Sequence, residues 1–223
     1  MATTTKKKKK EISRLDIITA YMDHVLTEGH KPLTIYKFCK QAQITEAQFY
    51  NHFGSFKSLK QQIWLSFFEQ TMVVLKKDKA YDTYPNKEKM LSFLFTFFEM
   101  LTANRSYILF ALHEHQAMFQ KLEQFKELRM YVKEFAADLI EAGNDEKNYR
   151  IAKNPVSIFS EGAWIQTLFL IKYWMNDNSP AFEKTDVAIE KSVTTIFDLL
   201  DSSPLESFLD FGKFLIKDKF APA

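Results

Sequence analysis

The chain has 223 residues, 46% hydrophobic and 26% charged, with a formal net charge of +2; this balance can bury a core and excludes wholesale disorder, collagen-like repeats and a membrane channel. Five glycines and six prolines are too few turn formers for a sheet protein of this length, so an all-α fold is expected. The one cysteine, Cys39, permits neither an intrachain disulfide nor a cysteine zinc cage, which points to a reducing cytoplasm.

Residues 1–10 form a Thr/Lys stretch read as a disordered basic arm. Glu11, Arg14 and Asp16 follow where a secretory segment would carry its apolar core, so no signal segment is expected. The longest apolar runs are broken at Glu99, Glu161 and Lys172, short of the roughly 18 residues a membrane span needs. The first sixty residues hold eleven Lys/Arg against five Asp/Glu, whereas residues 61–223 hold nineteen against twenty-three. The asymmetry points the first part toward a polyanion, although Lys6 to Lys10 supply most of it.

From Ile12 the residues Leu15, Ile18, Met22, Val25 and Leu26 recur at helical spacing, and Gly29 stands where a left-handed C-terminal residue would sit. Thr34 can cap a second helix with the buried stripe Ile35, Phe38, Cys39 and Ala42, and Leu33 and Phe38 are spaced as a hydrophobic staple. Thr45 and Gln48 make a capping box for a third helix, stapled by Ile44 and Phe49. Three short helices with a tight connection between the second and third form a helix-turn-helix, which sets a recognition helix into the major groove. On the third helix Phe49 and Phe53 point one way, while Ala47, Gln48, Tyr50 and Asn51 point elsewhere and His52 lies at the margin. Gln48 and Asn51 can hydrogen-bond base edges, Ala47 can touch a thymine methyl, and Tyr50 or His52 can donate to phosphate. Gln48 has a competing role as the capping partner of Thr45. Thr34, Tyr36, Lys37 and Lys40 form a positioning set near the free N–H groups of the second helix.

The run from Thr34 to Leu59, and within it Gln48-Phe49-Tyr50-Asn51-His52-Phe53-Gly54-Ser55, resembles the N-terminal domain of TetR-family repressors. The likeness spans residues 12–65. Gln43 stands where the family usually has glycine, Phe38-Cys39 where it has Ile-Ala, and Phe56-Lys57 where it has Lys-Glu. The resemblance implies DNA contact for Thr34, Tyr36, Lys37, Lys40, Thr45, Ala47, Gln48, Tyr50, Asn51, His52 and Lys57. Lys57 is offset by one position, about 100° around the helix, from the usual phosphate-contacting lysine.

Beyond Leu59 the pattern predicts longer helices at 57–77, 87–103, 106–119, 121–142, 155–176, 186–201 and 204–219, with breaks at Pro85-Asn86, Gly143-Asn144, Asn154-Pro155, 177–180 and Ser203-Pro204. Residues 61–223 hold 18 of the 22 phenylalanines and all three tryptophans. An apolar pocket between the central helices is expected here, with Phe97, Phe98, Tyr131 and Trp164 as walls for an apolar or aromatic ligand. His113 and His115 diverge by about 200° on a helix and do not form a metal pair. Glu99, Glu114 and Glu161 interrupt apolar helices, and Cys39 falls on a packing stripe. No nucleophile–base pair or glycine-rich phosphate loop is present, so neither enzymatic activity nor a cofactor is expected.

The expected organisation is a basic arm at 1–10, a helix-turn-helix domain at 11–60, and a ligand-binding and dimerisation domain at 61–223. The resemblance implies a dimeric regulator that binds an operator in double-stranded DNA as a repressor and is released by a small molecule. The helices at 155–176 and 186–201 would join the two copies. One alternative is a lipid-binding protein of the same fold that has lost DNA binding, with Leu205, Phe208, Leu209, Leu215 and Ile216 on a membrane-touching helix beside Lys213, Lys217 and Lys219; a second is an interaction scaffold whose large apolar helices dock another protein.

Overall fold

Helix starts in the N-terminal part are written into side chains three residues apart. In the computed structural model, which describes residues 12–113, 122–145 and 154–201, Ser13 and Asp16 exchange hydrogen bonds at the start of α1 (Arg14–Glu28). Gly29 ends that helix at φ 69°, a left-handed conformation that glycine adopts without strain. Thr34 caps α2 (Ile35–Gln41) by accepting from the Lys37 N–H, and Thr45 with Gln48 caps α3 (Glu46–Tyr50). Ser55 and Ser58 do the same reciprocally before α4 (Phe56–Leu75). Among the described residues there is no strand.

The chain divides into two units, Met1–Ser66 with Asn104–Glu127, and Phe67–Ala103 with Leu128–Ala223. The first is larger than residues 11–60, because α6 (Arg105–His113) packs on α1 and the residues after 121 dock on α4. There Trp64 lies 4.5 Å from the Phe125 ring and donates from Nε1 to Gln124 Oε1 at 3.0 Å. The core of the first unit is aromatic. Tyr21, Phe38, Phe49 and Phe56 make edge or tilted ring contacts at 5.5–6.1 Å, a geometry that suits their quadrupoles. The buried arc of α1 is Ile17, Ile18, Tyr21 and Val25, while Leu15 and Leu26 are exposed. The Leu33–Phe38 staple does not form either: Leu33 is 75% exposed, because Phe38 is enclosed by other rings.

In the second unit the residues of α4 from Phe67 onward join α5 (Asn86–Ala103), α7 (Lys126–Asp145), α8 (Val156–Met175) and α9 (Glu183–Asp201). The α9 helix packs on α5 and α8 through Ile189 and Val193, both fully buried. Phe93 stacks on Phe97 at 5.6 Å and meets Phe135 at 4.8 Å. Two boundaries differ from the sequence expectation for physical reasons. The α7 helix runs through Gly143 to Asp145 because the buried Asn144 side chain donates to Asn154 O and accepts from Asn154 N at 2.6 Å. The α9 helix starts at Glu183, three residues early, because Asp177 caps it from outside.

Asp177 accepts from the N–H and hydroxyl of both Ser179 and Thr185 at 2.6–2.9 Å. Burial opposes its charge, but these four hydrogen bonds outweigh that and pull the carboxyl down to about 2. The intervening turn bends through Ala181 and Phe182, both with positive φ.

Candidate functional site

The exposed surface of α2 and α3 is built from the inside outward. Phe38 and Cys39 of α2 and Phe49 of α3 are buried, so the rotation of each helix is fixed by what it hides. Burial pushes the Cys39 thiol up, and Glu46 adds to the effect, so this group packs rather than reacts. The turn between the helices keeps the left-handed geometry without glycine: Gln43 has φ 56°, and the Ile44 N–H donates to Cys39 O at 2.9 Å. A left-handed non-glycine residue costs about 1 kcal/mol, and the surrounding caps and buried rings hold it in place.

With rotation fixed, Thr34, Tyr36, Lys37, Lys40, Thr45, Ala47, Tyr50, Asn51, His52 and Lys57 are all exposed, and Gln48 is half-buried. Tyr36 is 61% and Tyr50 52% exposed, large values for aromatic side chains. Their local partners differ. Gln48 Oε1 accepts from Thr45 N at 2.8 Å and Thr45 Oγ1 at 3.1 Å, so its carboxamide is engaged in the capping box. The His52 ring is 2.9 Å from Ile12 O through Nε2, which ties α3 to the entry of α1. Asn51 ends α3, with its backbone N–H bonded to Ala47 O while its side chain points outward. Tyr36, Lys37, Lys40, Ala47, Tyr50 and Asn51 form the exposed remainder of the predicted set on these two helices, with the Tyr50 ring set edge-on against Phe49 at 5.6 Å. Residues 1–10 lie outside the described residues.

Two departures from the family pattern meet each other. Phe56 lies where the family has lysine, and its ring packs on Phe38, which replaces isoleucine, at 5.8 Å, as well as on Tyr21 and Phe49. Lys57, one residue on, forms an ion pair with Glu123 at 2.5 Å. The same short segment accepts a second bond, from Gln61 Nε2 to Glu123 O at 3.1 Å. Sequence reasoning missed Glu123, since a partner 66 positions away leaves no local pattern.

The second unit holds a cavity of about 890 Å³. Its walls come from the polar start of α5 and from apolar residues of α7, α8 and α9, such as Leu139, Phe159, Val193 and Phe197. The four residues the sequence suggests as walls, Phe97, Phe98, Tyr131 and Trp164, do not line this cavity. Phe97 and Phe98 are core residues against Phe93 and Trp174, Trp164 is buried, and Tyr131 lies 5.7 Å from Phe68. Phe97, Phe98 and Trp174 pack against other rings, whereas the cavity is lined from the turn before α5, the start of that helix and other positions of α7, α8 and α9.

Glu161 pairs with Arg129 at 2.6 Å and Lys133 at 2.5 Å, which lowers its carboxyl below the usual range and joins α8 to α7. Glu99 and His113 are exposed, whereas Glu114, His115 and the predicted helix at 204–219 lie outside the described residues. Among the described residues no group of three or more His, Cys, Asp or Glu could hold a metal ion, and no helix is long and apolar enough to cross a membrane. The outer face of α8 carries a run of exposed apolar side chains, Ile158, Ile165 (61%), Phe169 (54%) and Tyr173, with Val187 exposed on α9.

A family model described as the tetracyclin repressor-like C-terminal domain matches residues 89–215, more than half of the chain. The fold is similar to the crystal structure of a candidate TetR-family transcriptional regulator from Syntrophomonas wolfei, with a TM-score of 0.64 at 16% identity over 82% of this chain and 93% of that one. No curated protein sequence matches.

Proposed function

The chain belongs to the TetR family, and from that premise we propose that it is a homodimeric DNA-binding transcriptional repressor of the cytoplasm, released from its operator when a small molecule enters the second unit. The observation that carries the DNA reading is the exposed face of α3 beside α2. Ala47, Tyr50 and Asn51 would meet base edges and backbone, while Tyr36, Lys37 and Lys40 would hold phosphates. Gln48, Thr45 and Thr34 act first as caps, and His52 first as a tie to Ile12, so their share of DNA contact is secondary.

The apolar run on α8 supports a second copy as its partner, because contiguous exposed apolar side chains of this size mark interaction surfaces. A symmetric dimer would read two half-sites about one helical turn apart. The ligand acts only through its difference in affinity for the two conformations of the dimer. The cavity supports a ligand role for the second unit. Nothing in this reading requires an enzymatic step. Selection from random duplex DNA, followed by gel shift of the enriched sequence, tests the proposal: a pseudo-palindromic motif is expected, and recovery of no motif would move the reading to the lipid-binding alternative.

A further inference from the structure

The cavity of the second unit is asymmetric in its chemistry. The lining from three helices is mostly apolar, through Leu139 and Ile140 of α7, Phe159 of α8, and Val193, Ile196 and Phe197 of α9, with Gln166 of α8 as a polar member. The rest of the lining, Asn154 apart, comes from one short stretch of chain, the turn before α5 and the start of that helix. It carries Lys87 and Lys89, both half-buried, with Asn86 between the tyrosine-bearing turn and the helix. Asn86 is held in place by donating from Nδ2 to Leu139 O at 2.9 Å, so this wall is fixed to α7. The lysines have no ion-pair partner among the described residues. Asp82 is the one acidic side chain among the lining residues, and it is exposed. The lining therefore combines a positive balance at the start of α5 with a mostly apolar surface from the other three helices.

We propose that this cavity takes a single-chain amphiphile with an anionic head, its chain along α7, α8 and α9 and its carboxylate or similar group at the rim that Lys87 and Lys89 both line, where either ammonium can reach it on its flexible stem. Its volume of about 890 Å³ falls within the range of small-molecule sites, roughly 300–1,000 Å³. A half-buried lysine beside apolar surface attracts an anion more strongly than a fully exposed lysine does, and the apolar lining supplies affinity in proportion to chain length. A neutral aromatic ligand would leave both lysines facing apolar surface. An amphiphilic cation would be repelled by them. The inference rests on the ligand-sensing reading above and gives that site its ligand class.

The test uses the full chain and isothermal titration calorimetry with laurate and with dodecyltrimethylammonium, each below its micelle-forming concentration. Laurate is expected to bind once per chain and at least about tenfold more tightly than the cation. In the K87Q/K89Q double variant that preference should fall to about one. Ala142 is exposed and lines the cavity, so Ala142→Trp narrows the site without disturbing the core and should abolish laurate binding. Equal affinity of the wild-type chain for both probes, absence of laurate binding, or laurate binding indifferent to Ala142→Trp overturns the proposal. The DNA selection described above is scored separately. A chain that selects an operator but ignores laurate loses this inference alone, and one that binds laurate but selects no DNA loses the regulator reading instead.

Discussion

In the first unit the groups that satisfy a helix start lie three residues away, as Ser13 with Asp16, Thr34 with Lys37, Thr45 with Gln48 and Ser55 with Ser58 show. In the second unit the polar contacts that join elements span 8, 10, 26 and 72 positions, in Asp177 with Thr185, Asn144 with Asn154, Gln166 with Ser192 and Trp174 with Thr102, a kind of contact the first unit also makes in Trp64 with Gln124 but not at these helix starts. Short-range caps fix helices before tertiary packing and leave their outer faces unencumbered, as the proposed reading of a rigid duplex by this surface would require. Long-range buried polar contacts form only when the bundle has assembled, so they specify how helices are arranged around a cavity.

The sharpest way to break this contrast is in the aromatic core that sets the rotation of α2 and α3. Phe38→Ala should cost about 3–5 kcal/mol by urea unfolding, as large-to-small changes at enclosed aromatic sites do. Because its ring touches Phe56, the double change to alanine should cost less than the two single changes added together. Additive costs would mean that the two departures from the family pattern are independent. Next in size is Asp177→Ala, which strips the Thr185 N–H and hydroxyl of their shared acceptor and should cost about 2–3 kcal/mol, with loss of the early start of α9.

Asp177 also sharpens the comparison through pH. Its folded carboxyl sits at about 2, below the ordinary value of 3.8, so the stability it contributes is fully present above 3.8 and is lost as pH falls through that window toward 2. Unfolding free energy measured over that range should fall less steeply in Asp177→Asn than in the wild type. Gln43→Gly acts in the other direction and on a smaller scale. It removes the left-handed penalty at φ 56° and should raise stability by about 0.5–1 kcal/mol. A loss of stability there would show that the glutamine side chain makes a compensating contact.

The smallest expected effect concerns Lys57. Its pair with Glu123 is exposed, so Glu123→Gln should change stability by less than about 1 kcal/mol. The freed ammonium is then available to a backbone phosphate, and the salt dependence of DNA binding should steepen by about one ion. An unchanged slope would mean that Lys57 serves only to dock the 122–125 segment on α4.

The same contrast explains what could be read in advance. The caps at Thr34 and Thr45, the buried Phe38, Cys39 and Phe49, and the outward Tyr50 and Asn51 all follow from spacings of three to seven residues, which a sequence displays directly. Phe56 was legible as a departure but not as the neighbour of Phe38, since two substitutions 18 positions apart carry no sign that they touch. The sequence places an apolar pocket among the helices after residue 60, and the cavity of the second unit is lined by other residues than the four it suggests. Phe97, Phe98 and Trp164 sit in strongly apolar stretches, and their side chains are buried in the core. Lys87 and Lys89 gave no signal, because two lysines at a helix start read as ordinary solvated charges until the rest of the lining is known.

The central claim is that the face set by these local caps reads DNA through α3, and Asn51→Ala measures it most directly. Asn51 is exposed at the end of α3, so the variant should unfold at the same urea midpoint as the wild type. Gel-shift titration at fixed salt should show affinity for the selected operator falling by roughly 5- to 150-fold, the range of one lost base contact, with affinity for random duplex unchanged. Equal operator affinity in wild type and variant would contradict the assignment of α3 as the reading helix.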